Sequence, residues 1–244
     1  MYNFDENFFH KIDTEDKAYL LGFICTDGNI YKRDGHQLQL GISVRDYDKE
    51  ILLHFKDSLK SNHPIHEQLD NRRSTTLMNT IVFVSNKIGG DLGLLKIYPN
   101  KTFNLDYSFI FNQLTSELWP AFILGLFDGD GNIDCPKDGT ISRSHVRLSG
   151  PVKELQQISQ QLKLVGLNSN LIIDKRKYTQ PFGSLECVNT IDKYCLLKYM
   201  YSTNVTGLSR KRQEAYELIR RIECNVTNRA ENKKAVKIWE SLND

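Results

Sequence analysis

The sequence predicts an α+β fold built twice, each half running helix, two strands, helix, two strands, helix. Three observations carry this. Residues 20–30 (LLGFICTDGNI) return 103 residues later as residues 123–133 (ILGLFDGDGNI). Each copy is followed by a run in which apolar and polar residues alternate, the pattern of a half-buried strand. Each run is followed by an apolar stripe at helical spacing: Leu52, Phe55 and Leu59 in one copy, Leu155, Ile158 and Leu162 in the other.

Taken in order, Thr14 is a natural N-cap, and Glu15 and Asp16 suit the positive end of a helix dipole. Ala18, Leu21, Gly22 and Cys25 then share one helix face. In the second copy Pro120 suits a first turn, and Ala121, Leu124, Gly125 and Asp128 line the matching face. Glycine inside a helix costs roughly 1 kcal/mol relative to alanine. Its recurrence at Gly22 and Gly125 asks for two helix backbones in close contact. Gly28 and Gly131 are expected to stop the helices.

The next long strand covers residues 36–45, with Leu38, Leu40, Ile42 and Val44 on one face and Gln37, Gln39, Ser43 and Arg45 on the other. In the second copy Val146 and Leu148 alternate with Arg143, His145, Arg147 and Ser149. These strands align best at an offset of 104, which places a one-residue shift before the helical stripes. Further strands are expected at 65–70, 77–85, 171–176 and 185–191, and helical turns at 91–97 and 193–201. Residues 103–115 connect the halves. The expected division is 1–110 and 111–229 for the halves, and 230–244 for a tail with an amphipathic helix over 230–242.

Composition is that of a soluble globular protein: 40% hydrophobic, 25% charged, mean hydropathy −0.44. No apolar run approaches the ~20 residues of a membrane span. The acidic N-terminal stretch has no signal-peptide or transit character, so no targeting signal is expected. The compartment expected is the cytoplasm of a bacterium or phage-infected cell, or an organelle that encodes the chain. Five cysteines without a CxxC pair argue against a disulfide framework or a zinc site. His63 and His66 flank Pro64 and have no further ligands nearby in sequence. Charge is uneven: residues 1–140 hold 14 Lys and Arg against 20 Asp and Glu, and residues 141–244 hold 18 against 10. The basic second half suits an anionic partner.

Asp27 and Asp130 fall in the last turns of the repeated helices, beside the negative end of each dipole. That position disfavours a carboxylate by a few tenths to about 1 kcal/mol. Parallel packing of the helices would also drive the two carboxylates together. A bound divalent cation reverses both penalties, and hard oxygen donors point to Mg2+ rather than zinc. The plain alternative, an Asp-Gly turn before a strand, explains one copy better than two.

The segments Leu20-Leu21-Gly22-Phe23-Ile24-Cys25-Thr26-Asp27-Gly28 and Ile123-Leu124-Gly125-Leu126-Phe127-Asp128-Gly129-Asp130-Gly131 resemble the motif that names the LAGLIDADG homing endonucleases. With the order of strands and helices, the resemblance covers roughly residues 14–222. It implies a monomer of two pseudo-symmetric αββαββα half-domains, whose antiparallel sheets form a saddle over double-stranded DNA. It implies Asp27 and Asp130 as ligands of Mg2+ or Mn2+, and phosphodiester hydrolysis at a long non-palindromic site. It also points to Lys101 and Lys211 near the centre, and to Asp46 at the end of the second strand as a water-positioning group. Ser149 or Gly150 takes that place in the second half. Cys25 replaces an acid or small residue of the motif and is expected to pack. DNA contacts are expected from Gln37, Gln39, Ser43 and Arg45, from Arg143, His145 and Arg147, and from Lys175, Arg176 and Lys177.

Two other functions compete. One is a cleavage-deficient regulator or intron maturase of the same fold, with intron RNA as its partner. The other is a glycosidase using paired carboxylates, which the two tryptophans and basic strand faces make less attractive. An intein is not expected, because the chain lacks splice-junction residues.

Overall fold

The computed structural model describes residues 2–32, 37–70, 73–136, 140–176, 180–224 and 230–241. Helix α1 (Glu15–Asp27) starts where Thr14 Oγ1 accepts from the Lys17 N–H at 3.3 Å. It runs into β1 (Gly28–Lys32) and β2 (Leu38–Arg45). A 3-10 turn (Asp46–Asp48) leads to α2 (Glu50–Ser58), then β3 (His66–Asp70), β4 (Arg73–Val84) and α3 (Asn86–Leu94). Within the expected connector, α4 (Tyr107–Gln113) forms, with Asp106 accepting from the Phe109 N–H. The division at 110/111 falls inside this helix.

The order then repeats with α5 (Trp119–Asp130), β5 (Gly131–Asp134), β6 (His145–Pro151), α6 (Val152–Leu164), β7 (Asn170–Ile173), β8 (Phe182–Cys187) and α7 (Thr190–Met200). Helices α8 (Ser209–Cys224) and α9 (Ala230–Ser241) follow. The two sheets are fully antiparallel and share one strand order, β1-β2-β4-β3 and β5-β6-β8-β7. The α+β class and the two-sheet architecture are therefore as the repeat predicts. No helix among the described residues is long and apolar enough to cross a membrane.

Helices α1 and α5 are buried on every side, over residues 18–25 and 120–128. They pack on each other through their glycines. A Cβ on Gly22 would lie 3.0 Å from the Leu126 nitrogen and closer still to the Phe122 carbonyl oxygen. A Cβ on Gly125 would lie 2.9 Å from the Phe23 nitrogen and closer still to the Tyr19 carbonyl oxygen. Backbone cannot retreat as a side chain can, so only glycine permits this approach. Gly28 and Gly131 end the helices in extended conformation, with φ of −70° and −85°. Room against Ile24 and Phe127, not a left-handed φ, is what their missing side chains provide.

Several sequence expectations shift. The strand expected at 185–191 starts earlier and gives way to α7, because Asn189 caps that helix by accepting from the Asp192 N–H. The strand expected at 171–176 ends at Ile173, where Asp174 turns to bind Arg176. The helix at 91–97 begins earlier, capped by Ser85. His63 is a core residue, hydrogen-bonded to Ser61 and packed against Phe4 and Phe83.

The offset between the halves changes along the chain. Ile42 pairs with Gly28 and Leu148 with Gly131, so the long strands correspond at 106, not 104. A shift of two residues is one full pleat, so alternation alone cannot distinguish the two alignments. The helices that follow do correspond at 103: Ile51, Leu52 and Phe55 are buried in α2 as Glu154, Leu155 and Ile158 are in α6. Three residues are therefore missing from the second half, and they are the counterparts of Asp46–Asp48.

Candidate active site

The paired helices end side by side, which carries Asp27 and Asp130 to one place. Gly129 marks how near they come: a Cβ there would lie 2.8 Å from Asp27 Oδ2 and would overlap Thr26. Both aspartates are exposed as whole residues, yet the two helix ends and the lysines crowd one side of their carboxylates. That crowding, with the Asp130 charge second, raises the Asp27 pKa to about 6. Burial likewise raises that of Asp130, against the pull of Lys101 and Lys211.

Each motif helix has a buried lysine at its C-terminal end. Lys101 Nζ donates to the carbonyls of Cys25 at 2.6 Å and Thr26 at 2.9 Å. Lys211 Nζ donates to those of Phe127 at 2.8 Å and of Asp128 and Gly131, both at 2.7 Å. Carbonyls at a helix end have no intrahelical partner, and an ammonium there offsets the negative pole beside the aspartate. Burial lowers the pKa of both lysines, Lys211 to about 8.

Neighbouring groups reach across the halves. Asp48 binds Arg210 through Nε–Oδ1 at 2.6 Å and Nη2–Oδ2 at 2.8 Å, and its charge also bears on Asp27. Asp128, at the position of Cys25, accepts from the Tyr19 hydroxyl at 2.8 Å and the Leu208 N–H at 2.7 Å. Gly207, at φ +65°, brings the chain against that carboxylate. The segment holding Lys211 is thus tied to both halves. Sequence reasoning missed Asp48, Arg210 and the role of Asp128; the only signal was the basic run at 210–212. The Cys25 thiol is buried, with its pKa pushed up by burial to about 12, which agrees with a packing role.

Asp46, expected to position water, accepts from Asn79 Nδ2 at 2.9 Å. Gln39, Ser43 and Arg45 lie on the side of β2 opposite the core residues Leu40, Ile42 and Val44, and Gln37 is exposed just before it. Ser43 hydrogen-bonds Thr80 on β4, and Arg45 lies over the Tyr47 ring. His145 and Arg147 share the corresponding face of β6, where Glu186 lies 4.0 and 3.9 Å from them. The strand placement of Arg143 is corrected, not its candidacy for DNA contact: it sits in a 3-10 turn just before β6, with Nη2 donating to Thr140, because the strand starts only at His145. Lys175 is exposed beyond β7, Arg176 pairs with Asp174, and Lys177 lies outside the described residues.

Among the described residues no three His, Cys, Asp or Glu side chains form a cluster able to hold a metal ion. Two carboxylates suit Mg2+ or Mn2+, which keep waters and take phosphate oxygens instead of an all-protein cage. The raised pKa values give a test. An aspartate whose folded pKa lies above its unfolded value of 3.8 stabilises the fold below about pH 4, and that contribution is lost as pH rises through about 6. Asp27→Asn removes the loss. In chelator the variant is expected to melt above the unsubstituted protein at about pH 8, with the difference closing near pH 4. A difference independent of pH would show that Asp27 is not so crowded.

No protein-family model and no curated protein matches the chain. Solved structures do. The chain is similar to I-DmoI in complex with DNA and calcium, at 16% identity over 82% of this chain and 95% of that one, with a TM-score of 0.54. It is similar to the meganuclease I-SmaMI bound to uncleaveable DNA, at 13% identity, 95% and 96% coverage and a TM-score of 0.52. It is also similar to the homing endonuclease I-WcaI bound to its DNA recognition sequence, at 14% identity, 84% and 87% coverage and 0.58. At such identities the likeness is one of architecture: the chain has the fold of the single-chain LAGLIDADG homing endonucleases.

Proposed function

We propose that this protein is a site-specific, divalent-metal-dependent endonuclease of double-stranded DNA, acting as a monomer on a long non-palindromic site. The observation that carries the reading is the meeting of Asp27 and Asp130 at the ends of two glycine-paired helices, each end held by a buried lysine. Support also comes from I-DmoI, solved with DNA and calcium and with DNA and manganese. Bound between the Asp27 and Asp130 carboxylates, Mg2+ or Mn2+ would supply charge stabilisation for a phosphodiester hydrolysis.

The chain's residues supply placement. Asp27 and Asp130 would hold the ion through their carboxylates. Lys101 and Lys211 fix the helix ends and soften the local negative field. Asp46 orients solvent in the first half. Residues 1–110 and 111–229 act as the two reading halves, with 230–244 as a tail. Gln37, Gln39, Ser43, Arg45, Arg143, His145 and Arg147 address base edges and phosphates, and Lys175, Arg176 and Lys177 address phosphates.

The test is incubation with a randomised plasmid library and Mg2+, followed by mapping of the ends. Double-strand breaks at one long site, absent with chelator, are expected; specific binding without cutting would favour a regulator. Arg147→Ala is expected to cost about 1–3 kcal/mol at positions of one half-site only. A loss uniform across sequences, with a flatter salt dependence, would assign Arg147 to phosphate.

A further inference from the structure

The two halves differ beside their aspartates. In the first, the Asp46–Asp48 turn joins β2 to α2; in the second, β6 runs straight into α6 and those three residues have no counterpart. Beside Asp130 lies a cavity of about 210 Å³, whose walls include Lys101, Ser149, Gly150 and Glu154. A single water needs only about 10–15 Å³ of such space.

Glu154 takes the place that Ile51 has in the first half, and it is equally buried, at 3% exposure against 2%. Burying a carboxyl where isoleucine would fit is costly unless hydrogen bonds compensate. Its carboxyl accepts from the residue's own backbone N–H, but Oε1 meets no protein donor. Buried polar atoms without a protein partner are ordinarily met by ordered water.

We propose that Glu154 is a positioning residue, which anchors water in the cavity beside Asp130 and so replaces in the second half the acidic turn of the first. The role rests on the endonuclease reading. It makes the two strand cuts chemically unequal: solvent at the Asp130 side is organised through Glu154, and at the Asp27 side through Asp46, while Asp48 is held by Arg210.

The test is strand-resolved nicking of a mapped target duplex by the full chain with Mg2+. Glu154→Leu, which fills the space without a polar atom, is expected to slow one strand about tenfold and to leave the other unchanged, so nicked duplex accumulates. Glu154→Ala suits the first turn of α6 and serves as a second variant should leucine impair folding; the same strand should slow. Glu154→Gln still bonds water and should stay within about threefold of the parent on both strands. Equal slowing of both strands, or no change in any variant, overturns this role while leaving the endonuclease intact. Failure of the unsubstituted protein to nick any duplex overturns both.

Discussion

Asp27→Asn and Asp130→Asn are each expected to lower double-strand cleavage at least ~100-fold while leaving target binding nearly unchanged. A hundredfold loss corresponds to about 2.7 kcal/mol of transition-state stabilisation, within reach of a single charged group in a crowded site. Asparagine preserves volume, so packing at the helix ends survives. What disappears is the negative charge that makes the site attractive to a divalent ion. Crowding and the neighbouring Asp130 charge both raise the Asp27 pKa, and the like-charge part is what a divalent ion would offset. Gel-shift affinity and cleavage rates on one mapped duplex would check both halves of the expectation. A variant that cuts near the parental rate would remove that aspartate from the metal centre.

Gly125→Leu is expected to destabilise the fold by roughly 3 kcal/mol or more, at or beyond the upper end of ordinary overpacking. The reason is the identity of the obstructing atoms. Even the first added carbon meets the Tyr19 carbonyl and the Phe23 nitrogen, both backbone, so α1 and α5 must separate or tilt. For a chain of this size that loss lowers Tm by roughly 6–12 °C. Gly125→Ala already places that carbon and should show much of the effect. Movement of the helices also separates Asp27 from Asp130, so cleavage should fall further than melting alone explains. Thermal denaturation beside cleavage assays at a temperature where the variant remains folded would test this. An unchanged Tm in Gly125→Leu would mean that the helices do not meet at this glycine.

By itself the sequence determined the features whose signals are local and periodic. The repeated motif places two helices, two matched glycines and two aspartates. Strand alternation identifies Leu40, Ile42 and Val44, and Val146 and Leu148, as core. Thr14 announces the start of α1. Each of these follows from spacing within a dozen residues, where backbone geometry dictates which side chains share a face. Resemblance added Lys101 and Lys211 as candidates but not what they do. Tertiary structure decided that both cap carbonyls of the motif helices, and that Arg210 reaches Asp48 across 162 residues of chain. It decided the strand offset as well, because a two-residue slip leaves every side chain on the same face and is invisible to alternation. Arg143 left the strand and Glu154 came beside Asp130 for the same reason: which residue faces which across the two halves depends on where strands end and helices begin, and that is set by packing between elements far apart in the chain.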